Sequence, residues 1–214
     1  MWFLPVAPAE AGHVQTIDIA ALQTLAEAAD TKIYLPSRPG AYVGTGAPAA
    51  YVMNTKELDE KILDQIIIHP RRTLEEGPAF GLVTLSEIAS RALSSAVNDS
   101  GTALSAIAAI TRLLARLAGR FGEAADDPAD RVFMATLDPH QLLVDAFRPI
   151  ARDGADKVEV GIRLQQALGV LVSVDKSAFG EPAEAVSKDA LERAEAALDN
   201  EHDLKVLRDA CPFS

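Results

Sequence analysis

The residues best placed to do chemistry lie in one run, Glu87-Ile88-Ala89-Ser90-Arg91-Ala92-Leu93-Ser94-Ser95-Ala96-Val97-Asn98-Asp99-Ser100-Gly101-Thr102-Ala103. Glu87 and Arg91 stand four apart, acid before base, the order that favours pairing along a helix. Ser86, Ser90 and Ser94 place a hydroxyl stripe beside them. Asn98 or Asp99 can accept from the free N–H groups of a following helix, with Thr102 inside its first turn. Two readings follow. In one, the polar cluster ties two helix ends together, the ordinary use of Asn and Asp. In the other, the second helix's N-terminus holds a small anion, with Arg91 or Arg72 as counter-charge. The candidate site is therefore Arg72, Glu87, Arg91, Ser94, Asn98, Asp99 and Thr102, either structural or anion-binding.

Other chemistries find less support. The histidines are His13, His69, His140 and His202, none at ligand spacing from another, and no HExxH or CxxC occurs, so no metal site or cofactor is expected. There is no G-x-S-x-G elbow. Cys211, the one cysteine, is among the last four residues and cannot form an internal disulfide, which fits a reducing compartment. Gly44-x-Gly46-x-x-Ala49 nominally fits a dinucleotide fingerprint, but a strand-like segment follows it where a long helix should open, so it reads as a turn. Arg112, Arg116 and Arg120 form a cationic stripe, either a solvated helix face or a contact for an anion, a partner or phospholipid headgroups. No catalytic residue is assigned, and the balance favours a non-enzymatic protein.

These groups need a frame. The chain has 214 residues, 49 % hydrophobic and 5 % aromatic, too apolar to be disordered and long enough for a real core. Twenty basic residues stand against 31 acidic, a net charge of −11. Residues 1–121 hold 10 basic and 12 acidic groups, net −2, and residues 122–214 hold 10 and 19, net −9. Such acidity argues against nucleic acid as a partner, because phosphate binding needs a dense Lys/Arg surface.

The elements follow from pattern. Short strands are expected at 13–18, 32–35, 41–43 and 49–53, with a helix from Ile19 to Ala29 capped by Asp18. Turns fall at Ser37-Arg38-Pro39-Gly40 and Gly44-Thr45-Gly46-Ala47-Pro48. Thr55 to Ile67 reads as a helix stopped by Pro70, 71–77 as a loop, and Pro78 as the start of a helix running to about Val97. Another helix spans about Ser100 to Ala118. Residues 122–130 read as a loop and Arg131–Leu137 as a short strand. Helices are expected at 139–153, 156–174, 182–199 and 201–210, packed closely through small residues such as Gly161 and Gly169. The fold class is thus α+β: a small β half-barrel or sandwich with one helix over 1–54, then a mainly α-helical bundle over 55–214. The N-terminal MWFLPVAPAEAG reads as a tail or truncated edge, and no run of about 20 apolar residues marks a span.

The string RALSSAVNDSGTA, led by Phe80-Gly81 and Glu87-Ile88-Ala89, resembles the signature of a bacterial family of predicted membrane proteins, domain-of-unknown-function family twenty-two fifty-four. Arg91, Ala92, Leu93, Ser94, Val97, Asn98, Asp99, Thr102 and Ala103 match its pattern. Ser95 and Ser100 stand where the family usually has proline, which should loosen the corner. Arg72-Thr73, Gly12–Asp18, Arg38–Val43, Gly46-Ala47-Pro48 and Asp145-Ala146-Phe147 with Gly154-Ala155-Asp156 are similar to further segments, so the likeness spans about residues 10–210. The resemblance implies membrane spans ahead of a soluble, cytoplasmic portion. The expectation is a reading frame lacking its beginning, and so the soluble portion of an inner-membrane protein, a sensing or assembly module. The alternatives are an enzyme or small-anion binder using Arg72, Arg91, Asn98, Asp99 and Thr102, and a homo-oligomer built on Ala-rich faces.

Overall fold

The computed structural model describes residues 2–71, 78–121 and 130–213. It is α+β, with strands concentrated toward the N-terminus and helices after them. The chain forms two compact units, Met1–Phe80 with Ala124–Thr136, and Gly81–Glu123 with Leu137–Ser214.

In the first unit, β1 (Phe3–Val6), β2 (Gly12–Ile17), helix α1 (Ile19–Ala28), β3 (Ile33–Leu35), β4 (Tyr42–Val43), β5 (Ala50–Met53), helix α2 (Asp59–Leu63) and β6 (Ile66–His69) follow in order. A later strand, β7 (Val132–Met134), returns to this unit. One sheet runs β1-β5-β3-β7, antiparallel except for the parallel β3–β7 pair; the other runs β4-β2-β6 and is antiparallel throughout. The burial of alternate residues explains the arrangement. Ile33 and Leu35 are buried while Tyr34 is exposed, and Val14, Val43, Val52 and Ile66 point into the same core as Leu22 and Ala26 of α1. Asp18 caps α1, its carboxylate accepting from the Ala21 N–H at 2.9 Å. Gly40 and Gly46 sit at φ 94° and 78°, the left-handed conformation that each turn requires. The Arg131 guanidinium bonds Asp30 at 2.8 Å beside the β3–β7 junction.

Two elements depart from the sequence reading. The segment Phe3–Val6 is an edge strand, registered on β5 from Phe3↔Met53 to Val6↔Ala50, not a tail. The helix expected from Thr55 to Ile67 is a five-residue helix followed by strand β6. Ile66, Ile67 and Ile68 are β-branched and find a partner in β2, so pairing prevails over helical spacing.

The second unit is helical: α3 (Pro78–Ala92), α4 (Ser100–Leu117), α5 (Pro139–Asp153), α6 (Val158–Val174), α7 (Lys176–Ala197) and α8 (Glu201–Asp209). Each buries one stripe: Leu82, Ser86 and Ala89 on α3; Ala103, Ile107, Ile110 and Leu114 on α4; Leu143, Phe147 and Ile150 on α5. Helix α6 packs against α4, α7 and α8, and α7 also against α5. Gly161 allows the close helix approach expected of it, since a Cβ would lie 3.0 Å from Leu207 of α8, whereas at Gly169 the close neighbour, 3.1 Å away, is Pro212 beyond the end of α8. Helix α3 ends five residues before the expected Val97. Helix α7 begins six before the expected 182, because Asp175 caps it and Pro182 sits inside it. The expected loops at 71–77 and 122–130 lie outside the described residues, apart from Arg71 and Asp130.

Candidate functional site

The Asn98-Asp99 corner is built by two helix ends. As α3 runs out, the Ser94 hydroxyl donates to the Arg91 carbonyl at 2.7 Å, and the Asn98 N–H donates to the Ser94 carbonyl at 2.8 Å. The Asp99 N–H then reaches back to the Ala92 carbonyl at 2.8 Å. This reversal requires a left-handed residue, and Asn98 supplies it at φ 50°. Asparagine is among the few non-glycine residues that tolerate that region.

Asp99 opens the next helix. Its Oδ1 accepts from the Thr102 N–H at 3.0 Å and its Oδ2 accepts from the Thr102 hydroxyl at 2.6 Å. The Thr102 hydroxyl, and next its N–H, hold the Asp99 carboxyl below its ordinary pKa. An external anion at this helix N-terminus would meet a carboxylate already bound to the same donors. The corner closes through these hydrogen bonds, with Ser95 and Ser100 flanking Asn98 and Asp99.

Asp99 and Thr102 are thus joined by hydrogen bonds, Ser94 bonds Arg91 and Asn98 instead, and Asn98 contributes its backbone conformation. The pairing expected between Glu87 and Arg91 does not form: both side chains are exposed, and no ion pair joins them. Arg72 lies outside the described residues. The hydroxyl stripe divides. Ser86 is 1 % exposed, and neither its hydroxyl nor that of Ser90 has a hydrogen-bond partner. The Ser90 hydroxyl faces the Asp153 carboxylate without normal bond geometry and adds slightly to the lowering of that carboxyl, whose main cause is Arg152.

A second polar site went unread in the sequence. A groove of about 540 Å³ between α5 and α7 is lined by Gln141, Asp145, Arg148, Arg152 and Arg193, with Val83 of α3. Arg193 grips Asp189 through two bonds of 2.9 Å, and Arg152 grips Asp153 at 2.6 and 2.9 Å. The Arg148 Nε lies 3.9 Å from Asp189, so this carboxylate links α5 to α7. Arg193, ahead of Arg148, lowers the Asp189 pKa. The spacings Arg148-x-x-x-Arg152 and Asp189-x-x-x-Arg193 were the available signal. Each arginine faces a carboxylate, so the groove is near charge balance, and an added anion must compete with groups already in place.

The signature run containing this corner lies within the stretch that matches a protein family. The family model described as "Predicted membrane protein (DUF2254)" covers residues 3–169, which takes in the β unit, the corner and most of α6. Two curated relatives are an uncharacterised protein of Mycobacterium tuberculosis and one of Mycobacterium bovis. Each is 28 % identical over 125 residues, covering 55 % of this chain and 24 % of the relative. The matched region is thus about a quarter of those proteins' length. No solved structure matches the chain. With a family match over most of its length, the chain belongs to the DUF2254 family of predicted membrane proteins.

Proposed function

We propose that this chain is the extramembrane module of a membrane-anchored protein, acting in sensing or assembly rather than catalysis. The observation that carries the reading is a contrast. The family is one of predicted membrane proteins, yet among the described residues no helix is long and apolar enough to cross a bilayer. A span needs about 20 predominantly apolar residues. Helix α4, which has 18 residues, carries Arg112 and Arg116. The small share of the relatives that the chain matches leaves room for an anchor elsewhere in such proteins.

The corner supports the non-catalytic part of the reading. The Asp99 carboxylate and the Thr102 hydroxyl are bonded to each other, and the Ser94 hydroxyl to the end of α3, which supports a structural use of these three groups. The cytoplasmic side is proposed with the module, from the single half-buried thiol of Cys211.

Fractionation of the protein tagged at its native locus tests the anchor. It should stay with membranes through high salt and alkaline carbonate. Full release by carbonate would overturn the reading.

A further inference from the structure

Helices α4 and α6 carry a surface unlike the rest of this acidic chain. A groove of about 340 Å³ runs between them, floored by Ala108, Ala115, Ala167 and Val170 and rimmed by Arg112 and Arg163. No carboxylate lines it. Arg116 continues the Arg112 row on α4 at four-residue spacing, Arg120 follows beyond the end of the helix, and all three are exposed. None of these four arginines joins an ion pair among the described residues. The Gly119 N–H donates to Asp175 at 3.0 Å, so the C-terminal ends of α4 and α6 lie together. There the α6 face continues into Val170 and Val174, 48 % and 50 % exposed. Among the described residues, two carboxylates bound the face. Glu159 lies one turn before Arg163 without pairing to it, and Asp175 is held by Gly119, Ser177 and Ala178.

We propose that this face docks on an anionic lipid bilayer surface. The guanidinium groups of Arg112, Arg116 and Arg163, unpaired among the described residues, match lipid phosphates, which Arg binds through paired N–H donors. The arginine stems and the two valines give the face apolar contact at headgroup depth. The net charge of −11 does not forbid docking, because charges beyond about 8 Å are largely screened at physiological salt. An acidic chain with one uncompensated basic face is directed to a negative surface by that face. The inference rests on charge and geometry alone and holds whether or not the protein also has an anchor.

Co-sedimentation of the purified chain with vesicles tests it. The chain should partition onto phosphatidylglycerol–phosphatidylcholine vesicles, not onto pure phosphatidylcholine, and leave them in high salt. Arg112→Gln, Arg116→Gln and Arg163→Gln should each lower the partition about fivefold. Lys188→Gln, at an exposed position on α7, should not lower it. Melting curves should be unchanged for all four variants, since each side chain is exposed and unpaired. Absence of binding, equal binding to both vesicle types, or binding indifferent to the Arg112→Gln, Arg163→Gln double variant would overturn the proposal. So would a dimer in solution that Arg112→Glu dissociates, which would give the face to a second copy. An anchor is read separately, by its resistance to carbonate.

Discussion

Asp99 shows how one side chain defines the signature corner. Its carboxylate takes both the N–H and the hydroxyl of Thr102, while its own N–H closes the end of α3. Asp99→Ala should lower the melting temperature by a few degrees, and Asp99→Asn, which keeps an acceptor, by less. Asp99, Asp153, Asp175 and Asp189 all titrate below their ordinary value when folded. As pH falls, the unfolded chain takes up these protons first, near the ordinary value of about 4. Their stabilisation is therefore complete above that pH and is lost as pH drops through the folded values. Melting followed from neutral to acid pH should show this decline, and Asp99→Asn should show less of it. Ser86 makes the opposite case. Its buried hydroxyl has no partner, so Ser86→Ala should stabilise the fold by about 1 kcal/mol in chemical denaturation. The capping aspartates were legible in the sequence because a cap is a local device. The missing Glu87–Arg91 pair was not, because spacing permits such a pair while solvent and side-chain entropy decide it.

At the scale of elements, what was legible depended on how far away the partner lies. Strands β2, β3, β4 and β5 and their turns follow from local alternation and from Gly40 and Gly46. Strands β1 and β6 do not, because each is defined by a partner about 50 residues away in sequence, β5 and β2 respectively. The helical spacing of Ile62, Ile66 and Ile67 was real, but it could not reveal that β2 offered a free edge. Strand β7 was expected, but its parallel pairing with β3 was not. The α6–α7 contact likewise contains a pair that no local pattern shows. Buried Gln165 donates to the Ser187 carbonyl at 3.1 Å and accepts from the Ser187 hydroxyl at 2.5 Å. Gln165→Leu should cost about 1–3 kcal/mol, because it leaves that buried hydroxyl only the weak Cys211 sulfur, 3.4 Å away, as partner. Adding Ser187→Ala should recover part of the loss, and a double-mutant cycle on denaturation free energies checks the coupling.

For the whole molecule, the charge asymmetry takes on a structural meaning. Part of the acidity of the second half serves helix ends and interhelical links, as in Asp138, Asp175 and Asp189. The α4–α6 arginines remain outside that compensation. The ion-pair groove between α5 and α7 was hidden from the sequence because its members come from two helices whose packing had to be known first. If its arginines are balanced by carboxylates and the corner is filled by Asp99, millimolar phosphate should leave the melting temperature unchanged; a clear rise would restore a small-anion site. The central claim is the proposal that this fold is the extramembrane module of a membrane-anchored protein. Protease treatment of opened membranes from cells carrying the protein tagged at its C-terminus tests that most directly. The account predicts that intact protein pellets with the membranes and that protease frees a folded, tagged fragment into the supernatant. Intact protein already in the supernatant before digestion, or a tag that stays in the pellet after complete digestion, would contradict it.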